Sequence, residues 1–117
     1  INGGVKKVED SLKHLEFVDG VMMGRKAYED PYQLIKVDHL IYGLPRSTKS
    51  KKDILLEMIP YVIKESNSGE KIHLISKHFM GLTKGTKFSK TIRSRLSNLN
   101  SFKKPEEVLN QIANQLI

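Results

Sequence analysis

Cysteine and tryptophan are both absent from the 117 residues. Without cysteine there is no disulfide, no thiolate nucleophile and no cysteine metal site. The longest apolar runs are only a few residues, far short of a bilayer span, and a cytoplasmic protein is the expectation. His14, His39 and His73 have neither metal-ligand spacing nor an acidic cluster beside them, so no metal is assigned. Acid is scarce in one region above all. From Lys71 to Pro105 the chain carries Lys71, Lys77, Lys84, Lys87, Lys90, Arg93, Arg95, Lys103 and Lys104 with no Asp or Glu. Solvated faces usually mix signs, so nine uncompensated cations point to a polyanion partner.

The net charge of +7 is therefore uneven. Residues 1–45 hold six Lys/Arg against seven Asp/Glu, whereas residues 46–117 hold fourteen against six. The first part also carries the most specific local pattern. Phe17 to Met23 reads as a buried parallel strand, apolar apart from Asp19 and Gly20, and it empties into Gly24-Arg25 and a helix start. Asn2-Gly3-Gly4 stands in the same relation to a helix predicted over about residues 5–15, where Val5, Val8, Leu12 and Leu15 recur at helical spacing.

Two consecutive βα turns of this kind converge on a phosphate. Helix-start N–H groups lack intrahelical partners, and glycine lets an anion approach closely. In an α/β barrel such a site is commonly built by the loops after the seventh and eighth strands. The expected fold class is therefore α/β plus all-α: the last βα units of a TIM barrel over residues 1–45, then a small C-terminal helical bundle over residues 46–117. The opening turn stands without its strand, so Ile1 is expected to continue from a barrel that precedes it.

A further helical stretch from Arg25 carries Tyr28, Tyr32, Ile35, Leu40 and Ile41, with Pro31 interrupting it. Gly43-Leu44-Pro45-Arg46-Ser47-Thr48-Lys49-Ser50 marks the boundary between the two parts. Ser50 and Asp53 have the spacing of a capping box, with Asp in place of Glu or Gln. They precede a helix predicted over residues 51–66, in which Pro60 predicts a bend. Ile72, Ile75, Phe79 and Leu82 predict a second helix ending at Gly85; Phe88, Ile92, Leu96 and Leu99 predict a third. Pro105 opens a fourth, with Glu106 and Glu107 at its positive end.

On the third helix Phe88, Ile92, Leu96 and Leu99 fall within one arc, and Lys87, Lys90 and Arg93 project from the opposite side with Arg95 at the boundary. Such a stripe suits contact with a phosphate backbone; the plain alternative is a solvated surface helix.

The combination of Asn2-Gly3-Gly4, the run Val18 to Tyr28 and Asp30-Pro31-Tyr32 resembles the C-terminal third of the A-type tRNA-dihydrouridine synthases. Met58-Ile59-Pro60-Tyr61, His78-Phe79-Met80-Gly81-Leu82, Gly85, Arg93 and Leu96-Ser97 resemble that family's helical domain. The resemblance implies an FMN-dependent enzyme that uses NADPH to reduce the 5,6 double bond of uridines at positions 20 and 20a of the tRNA D-loop. It implies that Asn2, Gly3, Gly4, Gly24 and Arg25 hold the FMN phosphate, the plain alternative for Arg25 being a pair with a neighbouring carboxylate. It also implies tRNA contacts by Lys90 and Arg93, with Lys87 and Arg95 as lesser candidates. The family's catalytic cysteine, lysine and histidine match nothing in this chain, so no catalytic residue is assigned here and the piece alone is expected to be inactive.

The chain departs from the pattern in one place. The family's Pro-Gly-Ala-Arg segment is Lys87-Phe88-Ser89-Lys90 here, so the turn into this helix and the planar Arg fork are lost. His78 matches a family position, yet its apolar neighbours favour a half-buried packing role. A monomer is expected. The rival readings are a stand-alone helical RNA-binding module, which would need no flavin, and another FMN-dependent barrel oxidoreductase, which would need no basic tail.

Overall fold

The computed structural model describes residues 4–116. By its internal contacts the chain divides between Thr48 and Lys49 into two compact units. In the first, helix α1 spans Val8–His14, α2 Arg25–Glu29 and α3 Val37–Leu40, with a 3₁₀ turn over Pro31–Lys36. In the second, α4 spans Lys51–Asn67, α5 Ile72–Ser76, α6 Ser89–Ser97 and α7 Pro105–Gln115. The 3₁₀ segments Lys77–Thr83 and Leu99–Ser101 complete it.

The second unit is organised by its buried stripes. Helix α4 starts at a full capping box: the Ser50 hydroxyl accepts from the Asp53 N–H at 3.1 Å, and the Asp53 carboxylate accepts from the Ser50 N–H at 2.9 Å. Two of the donors that every helix start leaves unpaired are thereby satisfied. Leu55, Ile59 and Val62 line its buried face, and it packs chiefly on α7, which buries Val108, Leu109, Ile112 and Ala113. Ile92, Leu96 and Leu99 are fully buried as well. Each such side chain contributes about 1.5–3 kcal/mol relative to leaving it in water.

Three predicted boundaries shift. The stretch from Ile72 to Gly85 begins as α5 and tightens into 3₁₀ over Lys77–Thr83, ending beside Gly85, whose φ of +77° suits glycine. The helix predicted from Phe88 begins at Ser89, and Phe88 becomes its N-cap, with non-helical backbone and an exposed ring. The helix predicted over 5–15 is shorter: Val8 and Ser11 are its buried residues, and Leu12 is exposed.

The larger difference concerns Phe17 to Met23, predicted as a buried strand. No strand occurs among the described residues. Phe17 is 86% exposed and Met22 52%. A parallel strand is held by hydrogen bonds to neighbours on both sides, and no described segment pairs with this one. Among its described residues the first unit accordingly buries only Val5, Val8 and Ser11. It exposes Leu12, Phe17, Met22, Tyr28, Leu34, Tyr42 and Leu44, an apolar surface large for so small a unit.

Candidate functional site

Within the first unit, Gly4, Val5, Lys6, Met22, Gly24, Arg25, Lys26 and Glu29 line one cleft of about 480 Å³. Two segments twenty residues apart, each containing a glycine singled out in the sequence, thus face a common space. Asn2 and Gly3 lie outside the described residues. Gly4 has φ +75°, a conformation that L side chains rarely adopt. No atom of the described residues lies within 4 Å of where its Cβ would stand, so among them the demand for glycine comes from the backbone angle and not from crowding. Gly24 is the N-cap of α2, which has no side-chain cap and no acidic residue in its first turn.

The charges in the cleft are unequal. Lys26 pairs with Glu29 at 3.3 Å. Arg25 is exposed, and no carboxylate of the described residues pairs with it. Its guanidinium donors are therefore available to an oxyanion, which they match as a planar fork. A phosphate fits this donor set: one unpaired Arg, Lys6 beside it, and backbone left open by two glycines.

Gln33 positions the Gly4 segment and carries no motif in the sequence. Its side-chain oxygen accepts from the Val8 N–H at 3.2 Å, and its side-chain nitrogen donates to the Lys6 carbonyl at 3.0 Å. The amide thereby bridges the 3₁₀ turn to the start of α1, whose own N-cap, Lys7, offers no side-chain cap. Lys36, at the end of the 3₁₀ turn, pairs with Glu9 of α1 at 2.9 Å and, by that hydrogen bond, holds the Glu9 carboxyl below its ordinary value.

The second unit presents the basic residues. Lys84, Lys87, Lys90 and Arg93 are exposed, opposite the buried Ile92 and Leu96. No carboxylate of the described residues pairs with Lys87, Lys90 or Arg93. Arg95 differs: half-buried, it donates to the Gln111 side chain at 2.6 Å and so ties α6 to α7. His78 is exposed, contrary to the packing role predicted for it; its apolar neighbours in sequence lie on a 3₁₀ segment, where the helical face argument does not hold. The buried polar residues of this region are instead Ser76 and Thr83. Among the described residues no three His, Asp or Glu side chains gather as a metal ion requires, and no helix is long and apolar enough to cross a membrane.

The chain matches the dihydrouridine synthase (Dus) family over residues 1–117. It is similar to proteins named tRNA-dihydrouridine(20/20a) synthase. That of Pseudomonas putida is 37% identical over 97 residues, 83% of this chain and 29% of that protein. That of Vibrio cholerae is 42% identical over 82 residues, 70% of this chain and 25% of that protein. That of Pseudomonas syringae pv. tomato is 35% identical over 114 residues, 97% of this chain and 34% of that protein. The chain thus spans about a third or less of the length of these curated relatives.

Proposed function

The chain belongs to the dihydrouridine synthase family, and from that premise we propose that it is the C-terminal part of a flavin-dependent tRNA-dihydrouridine synthase. The reaction is reduction of the 5,6 double bond of uridines 20 and 20a in the tRNA D-loop, with NADPH as reductant. Residues 1–45 form the end of the FMN-binding barrel and residues 46–117 the helical tRNA-binding domain. The observation that carries this reading is the meeting of Gly4, Gly24 and Arg25 in one cleft.

FMN, when bound, supplies the relay of hydride from NADPH to the uracil ring. The work of this chain's own residues is binding and orientation. Gly4 and Gly24 leave their backbone open to the phosphate, and Arg25 adds charge and a fixed fork of donors. Lys90 and Arg93, supported by Lys87, hold tRNA phosphates. Arg95 contributes through its bond to Gln111, which fixes α6 against α7. None of these residues donates the proton that completes the reduction, and catalysis rests on parts of the protein outside this chain.

The test uses the whole protein that carries this segment. Purified, it should retain flavin and should restore dihydrouridine to tRNA that lacks it; Arg25→Ala should lower the flavin content. A colourless protein that leaves tRNA unmodified would overturn the reading in favour of an RNA-binding module.

A further inference from the structure

Phe88 occupies the position from which the helical stripe predicted a core residue, four places before Ile92. The Phe88 carbonyl does accept the Ile92 N–H at 3.0 Å, so the ring is attached to a fixed point at the head of α6. As N-cap, however, Phe88 has φ −105° and ψ 24° and leaves the helical path. Its side chain misses the buried stripe and remains 46% exposed, while Ile92 and Leu96 are fully covered.

A single exposed phenylalanine is ordinary on a protein surface. The surroundings of this one are not. Lys87 holds its ammonium 5.6 Å from the ring centroid. Lys84 and Lys90 flank it in the chain, Arg93 follows one turn after Lys90, and all are exposed in a stretch of sequence without one acidic residue. A partner that covers this ring must tolerate several cations at once, which excludes an ordinary apolar protein patch and favours a polyanion that also carries flat apolar faces. Single-stranded RNA has both properties. Its unstacked bases stack on aromatic rings while its phosphates meet the neighbouring Lys and Arg. Double-helical RNA offers phosphates only, because its bases are already stacked on one another.

We propose that Phe88 is a stacking platform for an unpaired nucleobase, and that with Lys87, Lys90 and Arg93 it makes the head of α6 a binding site for single-stranded RNA. The proposal rests on the reading of this face as an RNA surface and deepens it. The cations set the strength of phosphate attraction, and the ring sets the preference for a looped or unpaired segment over a helix. A π-face accepts any base, so the site selects strandedness and not sequence.

The whole protein that carries this segment, and its variants, should be titrated with a single-stranded oligouridine and with an RNA duplex of equal charge, each at several salt concentrations. Phe88→Leu keeps the apolar bulk and removes the ring; Phe88→Tyr keeps the ring. Phe88→Leu should weaken single-strand binding roughly tenfold, leave duplex binding within twofold and leave the salt slope unchanged, since no charge is removed. Phe88→Tyr should bind like the parent. Equal affinity of Phe88→Leu and parent for the single strand would overturn the platform. So would equal losses on both RNAs, which would make Phe88 a support for α6 only. If Lys90→Ala with Arg93→Ala still flattens the salt slope in either case, the RNA surface stands without the platform. If the parent binds neither RNA, both fall.

Discussion

Gln33 caps Val8 from 25 positions away: its side-chain oxygen accepts the Val8 N–H at 3.2 Å, while its nitrogen reaches the Lys6 carbonyl at 3.0 Å. The amide satisfies a helix-start donor that Lys7 cannot and fixes the strand of backbone that leads from Gly4 into α1. Gln33→Glu keeps an acceptor for Val8 but sets a carboxylate oxygen against the Lys6 carbonyl. That variant should speed hydrogen exchange at Val8 and lower the stability of the first unit by about 1 kcal/mol. Unchanged exchange at Val8 would show that the clasp does not hold the segment.

Ser76 makes the corresponding link in the second unit. Fully buried, its hydroxyl donates to the Leu96 carbonyl at 2.6 Å and joins the end of α5 to the last turn of α6. Leu96 is one of the last residues of α6, whose carbonyls have no partner further along the helix. Ser76→Ala leaves that buried carbonyl without its donor and should cost about 1–3 kcal/mol in thermal or denaturant unfolding. Ser76→Cys should recover little, because a thiol is a weak donor.

These two links show where sequence reading stops. The capping box at Ser50 and Asp53, the helix over residues 51–66 and the Pro105 start were legible because caps and helical periodicity are local. Gly4, Gly24 and Arg25, singled out in the sequence as parts of a repeated strand-end turn, line one cleft, although no strand precedes Gly24 among the described residues. Gln33 and Ser76 were not legible, since each acts on backbone 20 or more positions away and neither occupies a recognisable motif. Phe88 was misplaced for another reason: periodicity assigns a residue to a face only while the helix continues, and the helix begins one residue later. The run from Phe17 to Met23 failed as a strand because strand formation depends on a partner that no local pattern reports.

Asp53 gives the second unit a defined acid response. Its carboxyl lies below its ordinary value because it accepts hydrogen bonds from the Ser50 backbone and then from the Ser50 side chain. A carboxylate whose folded value is depressed stabilises the fold fully above its unfolded value, near pH 4, and loses that contribution as the pH falls through the lower folded value. Asp53→Asn should therefore be less stable than the parent at neutral pH, and the difference should shrink below about pH 4. Ser50→Ala should cost about 1 kcal/mol through the lost N-cap and should bring the Asp53 titration back toward its ordinary value by NMR. A difference that stays constant down to the acid unfolding limb would mean that the carboxylate is not what the cap depends on.

Lys90 and Arg93 separate a functional cationic face from a merely solvated one. Both are exposed, and no described carboxylate pairs with either. If each meets one phosphate of a bound tRNA, each releases roughly one condensed counterion. Lys90→Ala with Arg93→Ala should then lessen the slope of log affinity against log salt by about 2 and weaken binding most at low salt. Arg95→Ala provides the contrast. Arg95 already donates to Gln111, so its removal should lower the unfolding temperature while leaving the slope nearly unchanged. A slope that drops equally for Arg95→Ala would place that residue on the RNA as well, and an unchanged slope for the double variant would remove Lys90 and Arg93 from it.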